Sequence, residues 1–282
     1  LAASCQQVRL RQTIMDEIAG YNIQRWKALV RVNALFTRPD WTLDAASARA
    51  KLDPEGRLGE IVGKAVLCLA GGGGQQSAAF ALLGARVTVL DLSEEQLQGD
   101  RQAANHYKVS IQTQQGDMRD LSRFPAHSFD LVWQPYSLNF VPEARQVFRE
   151  VAQVLRPGGR YQFSCANPFV SGLMASDWTG DGYPLKHPYQ EGAVVSYPDP
   201  IWVAESREAV PWTREYRHTL SALINGLIGQ DFVIQHVSDY TDFHPDPAAT
   251  PGTWDHFTAI VPPWLNFWAA YQPPVSELGN QR

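Results

Sequence analysis

Apolar positions along the chain fall into three patterns. From residue 16 to 60, Ile18, Ile23, Trp26, Leu29 and Val30 mark a helical face, followed by a connection containing Pro and Asp. From 61 to 166, short apolar runs alternate with helical segments, the pattern of βα units in a parallel sheet. Ala65–Leu69 is an unbroken apolar run, as expected of a strand buried on both faces. Gln76–Leu83 reads as a helix stopped by Gly84, and Arg86–Leu90 as a second strand. Ser93-Glu94-Glu95-Gln96 has the form of a capping box opening the next helix. Ser110–Gln114 and Phe129–Trp133 give strands three and four, Glu143–Leu155 a helix closed by Arg156-Pro157-Gly158-Gly159, and Arg160–Cys165 strand five. Residues 167–212 lose periodicity and read as an aromatic-rich insertion. Arg217–Ile228 is predicted helical, and Phe232–Val237 and His256–Val261 are predicted to be two closing antiparallel strands. The expected architecture is α/β, with a Rossmann-like seven-stranded, mostly parallel sheet and helices on both faces. Its parts are an N-terminal helical extension (1–60), a core (61–166), a lid (167–212), and a closing helix and strands (213–282).

Composition narrows the functional classes. The net charge is −5 and no Lys/Arg run is present, which disfavours nucleic acid as a partner. No apolar stretch reaches the roughly 18 residues of a membrane span, and the first residues do not read as a signal peptide. Cys5, Cys68 and Cys165 match no metal spacing and, being odd in number, no disulfide framework. These features predict a cytoplasmic protein without membrane or metal, and they leave a homodimer open. The chain begins without Met, and Met15 is a candidate start, with residues 1–14 then an expression remnant.

The chemistry-bearing segment is Val66-Leu67-Cys68-Leu69-Ala70-Gly71-Gly72-Gly73-Gly74, a strand turning through glycines into a helix. Such a turn lets a ligand approach the backbone, and the following helix start offers N–H groups. Asp91 ends the second strand at the spacing of an acid that accepts ribose hydroxyls. Gly116-Asp117-Met118 follows the third strand, an arrangement in which the acid takes an exocyclic amine and Met covers an adenine ring. A dinucleotide fingerprint would need a third glycine, where Gln76 or Ser77 stands here.

Residues 64–164 resemble the core of class I S-adenosylmethionine-dependent methyltransferases of the methyltransferase-11/25 small-molecule type. The first motif falls on Val66 to Gly74, the ribose acid on Asp91, and the adenine acid on Asp117. The fourth motif falls on Phe129-Asp130-Leu131-Val132-Trp133-Gln134-Pro135-Tyr136, and the post-motif on Leu155 to Gly159. Two departures stand out: Cys68 replaces the usual acid of the first motif and Ala70 its first glycine.

The resemblance implies S-adenosyl-L-methionine as methyl donor and S-adenosyl-L-homocysteine as product. The cofactor-binding residues would be Leu69, Ala70, Gly71, Gly72, Gly74, Asp91, Leu92, Gly116, Asp117, Met118 and Gln134. The acceptor, a small and apolar or aromatic molecule, would meet Tyr136, Asn139, Phe140, Trp178, Tyr183 and His187. Tyr136 is a candidate for orienting it. His218, before the helix that follows the insertion, is the candidate base because imidazole titrates near neutral pH. Six of the nine tryptophans follow residue 167, as in a lid over an apolar acceptor. Tyr21, Trp26 and Arg38 could reach cofactor or acceptor from the N-terminal helix. Two other readings stay open: an NAD(P)-dependent oxidoreductase using the same loop, and a catalytically silent cofactor-binding protein. A nucleic-acid methyltransferase is disfavoured by charge and by the shortened Gln134-Pro135-Tyr136.

Overall fold

A computed structural model describes residues 2–198, 209–239 and 244–274, with side chains from residue 17 onward. Trp202 of the expected lid lies outside the described residues. Seven strands form one sheet in the order β3 (Ile111–Gln115), β2 (Arg86–Asp91), β1 (Ala65–Leu69), β4 (Phe129–Gln134), β5 (Leu155–Ala166), β9 (Trp264–Tyr271), β8 (Phe232–Ser238). The β2–β3, β1–β4 and β4–β5 pairs are parallel, and β9 is antiparallel to both of its neighbours. A separate two-stranded ribbon joins β6 (Val194–Tyr197) and β7 (Thr213–Tyr216). The chain is thus the expected α/β, Rossmann-like fold.

Two compact units divide the chain. Unit 1 holds Leu1–Gly63, Ala70–Met118 and Pro198–Thr213, and unit 2 holds Lys64–Leu69, Arg119–Tyr197 and Arg214–Arg282. In unit 1, α3 (Gln76–Leu82) and α4 (Glu94–Tyr107) pack on β2 and β3. Behind them, α2 (Ala45–Leu52) backs α3, and α1 (Ala2–Arg31) backs α4. Leu29, Leu58, Ile61, Phe80, Val89 and Leu97 fill this core.

In unit 2, all five residues of β1 are buried, which is why its apolar run is continuous rather than alternating. The helix α5 (Ala144–Val154) turns Ala144, Val147, Phe148, Val151 and Ala152 inward at helical spacing. Phe148 packs against Tyr161 and Phe163 of β5, and Phe163 stacks on its cross-strand partner Phe267 at 4.9 Å. Each buried aromatic of this kind contributes roughly 1.5–3 kcal/mol.

Three elements differ from expectation. The Arg156–Gly159 segment is a bulge inside β5, not a stop before it. Leu155 already pairs with Phe129, and Arg160 rejoins opposite Leu131. Gly158 at φ +78° turns the chain, and a Cβ on Gly159 would sit 2.7 Å from the Arg156 carbonyl, so both positions need glycine. The expected helix from Arg217 begins only at Leu220: Thr219 accepts the Ala222 N–H and caps α6 (Leu220–Ile228), while Thr213–Tyr216 is strand. His256–Val261 is not a strand, because α7 (Trp254–Ile260) occupies it, and among the described residues β9 is the last strand. Asp255 stands in the first turn of α7, where its charge favours a helix start.

Candidate active site

In the glycine loop of unit 1 the N–H groups of Ala70, Gly72, Gly73 and Gly74 turn inward. Ala70, at φ +47°, donates to the Leu90 carbonyl at 2.7 Å. Gly72 N–H donates to Asp91 Oδ2 at 3.0 Å. The Gly73 N–H is shared between the Gln96 carbonyl (3.1 Å) and Asp100 Oδ2 (3.2 Å), and Gly74 N–H goes to Asp100 Oδ1 at 3.1 Å. The loop therefore offers close approach of bare backbone, not a row of free donors for a phosphate. Loop and N-terminal extension meet where the Gln75 side-chain amide donates to the Arg38 carbonyl at 2.9 Å. Tyr21, from α1, instead donates to the Trp212 carbonyl, and Arg25 lies over the Trp26 ring.

Asp91 closes β2 and is buried. Its Oδ1 accepts the Ser93 N–H at 2.9 Å. That use explains why only half of the expected capping box forms: the Ser93 hydroxyl accepts the Gln96 N–H, but the N–H that Gln96 would take in return belongs to Asp91. Desolvation pushes the Asp91 carboxyl up to about 6, against the hydrogen bonds from Ser93 and Gly72. Each oxygen holds one protein N–H and keeps lone-pair capacity for one hydroxyl more. A vicinal diol would supply that pair of donors to a carboxylate short of solvation, so Asp91 fits a ribose.

Gly116 donates its N–H to the Asp91 carbonyl at 2.9 Å, which sets Asp117 and Met118 beside the end of β2. Met118 is buried, Asp117 half-buried, and Leu92, also half-buried, accepts the Gln115 amide through its carbonyl. Ala70, Gly71, Gly72, Gly74, Asp91, Leu92, Gly116, Asp117 and Met118 all belong to unit 1.

Leu69 and Gln134 lie in unit 2, both fully buried. The Gln134 side chain donates to Ser137 at 3.0 Å and accepts the Tyr161 hydroxyl, so it is turned into the core. The Asn139 side chain is likewise bonded within the protein: it donates to the Tyr216 carbonyl at 3.2 Å and accepts the Ala166 N–H at 2.8 Å.

Tyr136 donates to Glu215 Oε1 at 2.9 Å, and Tyr197 donates to the same oxygen at 2.9 Å. Burial first, and then the nearby Glu215 charge, raise the Tyr136 phenol well above its ordinary range, so it keeps its proton. Its ring meets Phe140 and Trp264 edge-on, each at 6.2 Å. From Trp264 the ring contacts continue through Trp254, Phe257 and Tyr183 to Trp178 and His256. The Tyr183 hydroxyl and His256 Nδ1 are 2.8 Å apart. Tyr136, Phe140, Trp178 and Tyr183, scattered over the sequence, are thus members of one aromatic network within unit 2.

His218, the candidate base, is held on both sides of its ring. Its Nδ1 lies 3.1 Å from Glu191 Oε1 and its Nε2 3.2 Å from the Leu138 carbonyl. Both ring nitrogens face oxygens of the protein itself, so neither is turned toward a methyl acceptor. Burial raises Glu191, but hydrogen bonds from His218 and Thr219 outweigh it and hold the carboxyl below its ordinary range. His187 is exposed; its carbonyl, together with those of Pro188 and Ser171, receives the buried Arg217 guanidinium, which pins the insertion.

Three residues were not singled out by sequence: Asp100, Glu215 and His256. Asp100 sits mid-helix behind Gly99, Glu215 in a short strand, and His256 in a segment read as strand. No motif marked them, and only the fold reveals their partners.

Comparison with known proteins gives the family of the chain. A methyltransferase domain family model matches residues 67–163. The uncharacterized methyltransferase YbaJ of Bacillus subtilis (strain 168) is 36% identical over 235 residues, covering 78% of this chain and 89% of that protein. A ubiquinone biosynthesis O-methyltransferase of Xanthomonas oryzae pv. oryzae is 30% identical over 156 residues, 55% of this chain and 62% of that enzyme. Among solved structures, an S-adenosylmethionine-dependent methyltransferase from Mesorhizobium loti superposes with a TM-score of 0.59 at 26% identity, covering 80% of this chain and 96% of that one. With its glycine loop, strand-end acids and sheet order, the chain belongs to the class I S-adenosylmethionine-dependent methyltransferase family.

Proposed function

We propose that the protein transfers a methyl group from S-adenosyl-L-methionine to a small apolar or aromatic acceptor. S-adenosylmethionine supplies, when bound, an electrophilic methyl on a sulfonium. In this reading Asp91 accepts the ribose hydroxyls, Asp117 takes the adenine amine and Met118 covers the ring. The bare Gly71–Gly74 backbone allows close approach. A dinucleotide would require loop N–H donors for its pyrophosphate, and Gly72, Gly73 and Gly74 have given theirs to protein acceptors. That favours a sulfonium cofactor over the nicotinamide alternative.

The observation that carries the acceptor class is the ring network from Tyr136 to Trp178 and Tyr183. Aromatic faces offer a flat apolar molecule stacking and edge-on contacts. Methyl transfer is an in-line displacement, for which alignment alone can supply several kcal/mol of the barrier. Tyr136 retains its proton and His218 is engaged on both nitrogens. In this cluster Glu215, held by Tyr136 and Tyr197, is the group able to take a proton from an acceptor hydroxyl.

The test is a screen of phenolic, aliphatic-alcohol and amine acceptors with methyl-labelled cofactor. Label transfer to an aromatic acceptor, lost in Glu215→Gln while cofactor affinity stays, is the expected result. Label appearing only in aliphatic or strongly charged acceptors would contradict the acceptor class. Cofactor binding with no transfer to any of them would favour the silent cofactor-binding alternative.

A further inference from the structure

We infer that Asp100, on α4, is a positioning residue for cofactor binding, acting by holding the glycine loop in its binding shape. The inference rests on the reading that S-adenosylmethionine binds at that loop.

Three donors converge on this one carboxylate: the N–H groups of Gly73 and Gly74, and the Ser77 hydroxyl at the first turn of α3. Asp100 is fully buried, so these bonds are its solvation. Burial, with the Asp91 charge adding to it, pushes its carboxyl up to about 7, while the hydrogen bonds from Ser77, Gly73 and Gly74 oppose the rise. Only a group with two accepting oxygens satisfies all three donors. An amide would set its NH2 against one of the loop N–H groups.

The helix backbone comes equally close. A Cβ on Gly74 would lie 2.6 Å from the Gly99 carbonyl, and one on Gly99 would lie 3.1 Å from Gly73. Gly99 and Asp100 therefore act together: the glycine removes the steric barrier and the aspartate takes the donors. Asp91 holds the adjacent Gly72 N–H. Two carboxylates thus fix three consecutive loop N–H groups. A loop fixed before binding spares the ligand the cost of ordering it.

The experiment combines Asp100→Asn, the milder Ser77→Ala, and isothermal titration with S-adenosylhomocysteine. Backbone amide NMR signals of Gly73 and Gly74 report the lock directly. Expected are a loss of affinity of about tenfold or more in Asp100→Asn and severalfold in Ser77→Ala. The Gly73 and Gly74 amide signals should move while those of β2 and β3 keep their places, a local signature that a general loss of stability would not give. A folded Asp100→Asn protein with wild-type affinity overturns the inference, as do Gly73 and Gly74 signals that do not move. If Asp100→Asn fails to fold, unchanged affinity in Ser77→Ala overturns it. Wild-type protein that does not bind S-adenosylhomocysteine overturns the cofactor reading first, and this inference falls with it.

Discussion

Gly72 and Asp91 lie nineteen positions apart in the chain and are joined by a 3.0 Å hydrogen bond from the glycine N–H to the carboxylate. This bond ties the glycine loop to the end of β2, so the acid that would receive the ribose also shapes the loop beneath it. Because the carboxyl is buried and raised to about 6, its ionisation should be visible in binding. A hydroxyl donates better to the ionised form. S-adenosylhomocysteine affinity should therefore fall as pH drops through about 6, and Asp91→Asn should be weak at every pH. Titration calorimetry from pH 8 to 5 checks this; a flat wild-type profile would count against the ribose role.

Stability should respond to pH in the opposite sense. Asp91 and Asp100 have folded-state values of about 6 and about 7, above the ordinary 3.8. Between these limits the folded protein binds more protons than the unfolded chain, so these two groups favour folding most at low pH. Their contribution declines as pH rises from about 4 to about 7. Denaturant midpoints for wild type and Asp100→Asn over that window should differ in slope, with the variant declining less. Identical slopes would refute the assignment.

Ala70 occupies a left-handed conformation at φ +47°. The strain costs roughly 1–2 kcal/mol for a residue with a Cβ, and glycine gives back part of that gain through unfolded-chain entropy. Ala70→Gly should thus stabilise the protein by up to about 1 kcal/mol in urea unfolding. Clear destabilisation would mean that the methyl group packs usefully and that the strain is offset.

Gly74→Ala should do the reverse. Its φ of +76° disfavours any side chain, and the new Cβ would press against the Gly99 carbonyl. Loss of S-adenosylhomocysteine binding, with destabilisation of at least about 1–2 kcal/mol, is expected. Wild-type affinity in this variant would show that the loop tolerates separation from α4.

How much of this was legible beforehand follows from the range of the interactions. The run Ala65–Leu69, the strand-end acid Asp91 and the order of the motifs are local features, and each falls where the sequence pattern put it. Pro and Gly ordinarily end elements, so Arg156–Gly159 predicts a stop, whereas pairing across to β4 recaptures the chain as a bulge. His256–Val261 looked like a strand by composition, and tertiary packing of Phe257 and His256 made it helix. Asp100 and Glu215 are polar residues within ordinary segments, and their meaning comes from partners distant in sequence.

His218 illustrates the same point for function. A histidine before a helix suggested a base, but Glu191 and the Leu138 carbonyl occupy both ring nitrogens. His218→Ala should cost about 2–3 kcal/mol of stability through the lost buried bonds. Once an acceptor is found, the pH dependence of turnover should stay unchanged. A shifted pH profile with unaltered stability would restore the base role.

The most direct test of the central claim is calorimetric titration of the purified protein with S-adenosylmethionine and S-adenosylhomocysteine, and separately with NADH. The account predicts binding of both sulfur nucleosides and none of the dinucleotide. Binding of NADH alone would contradict it and would turn the glycine loop, despite its inward-facing N–H groups, into a dinucleotide site.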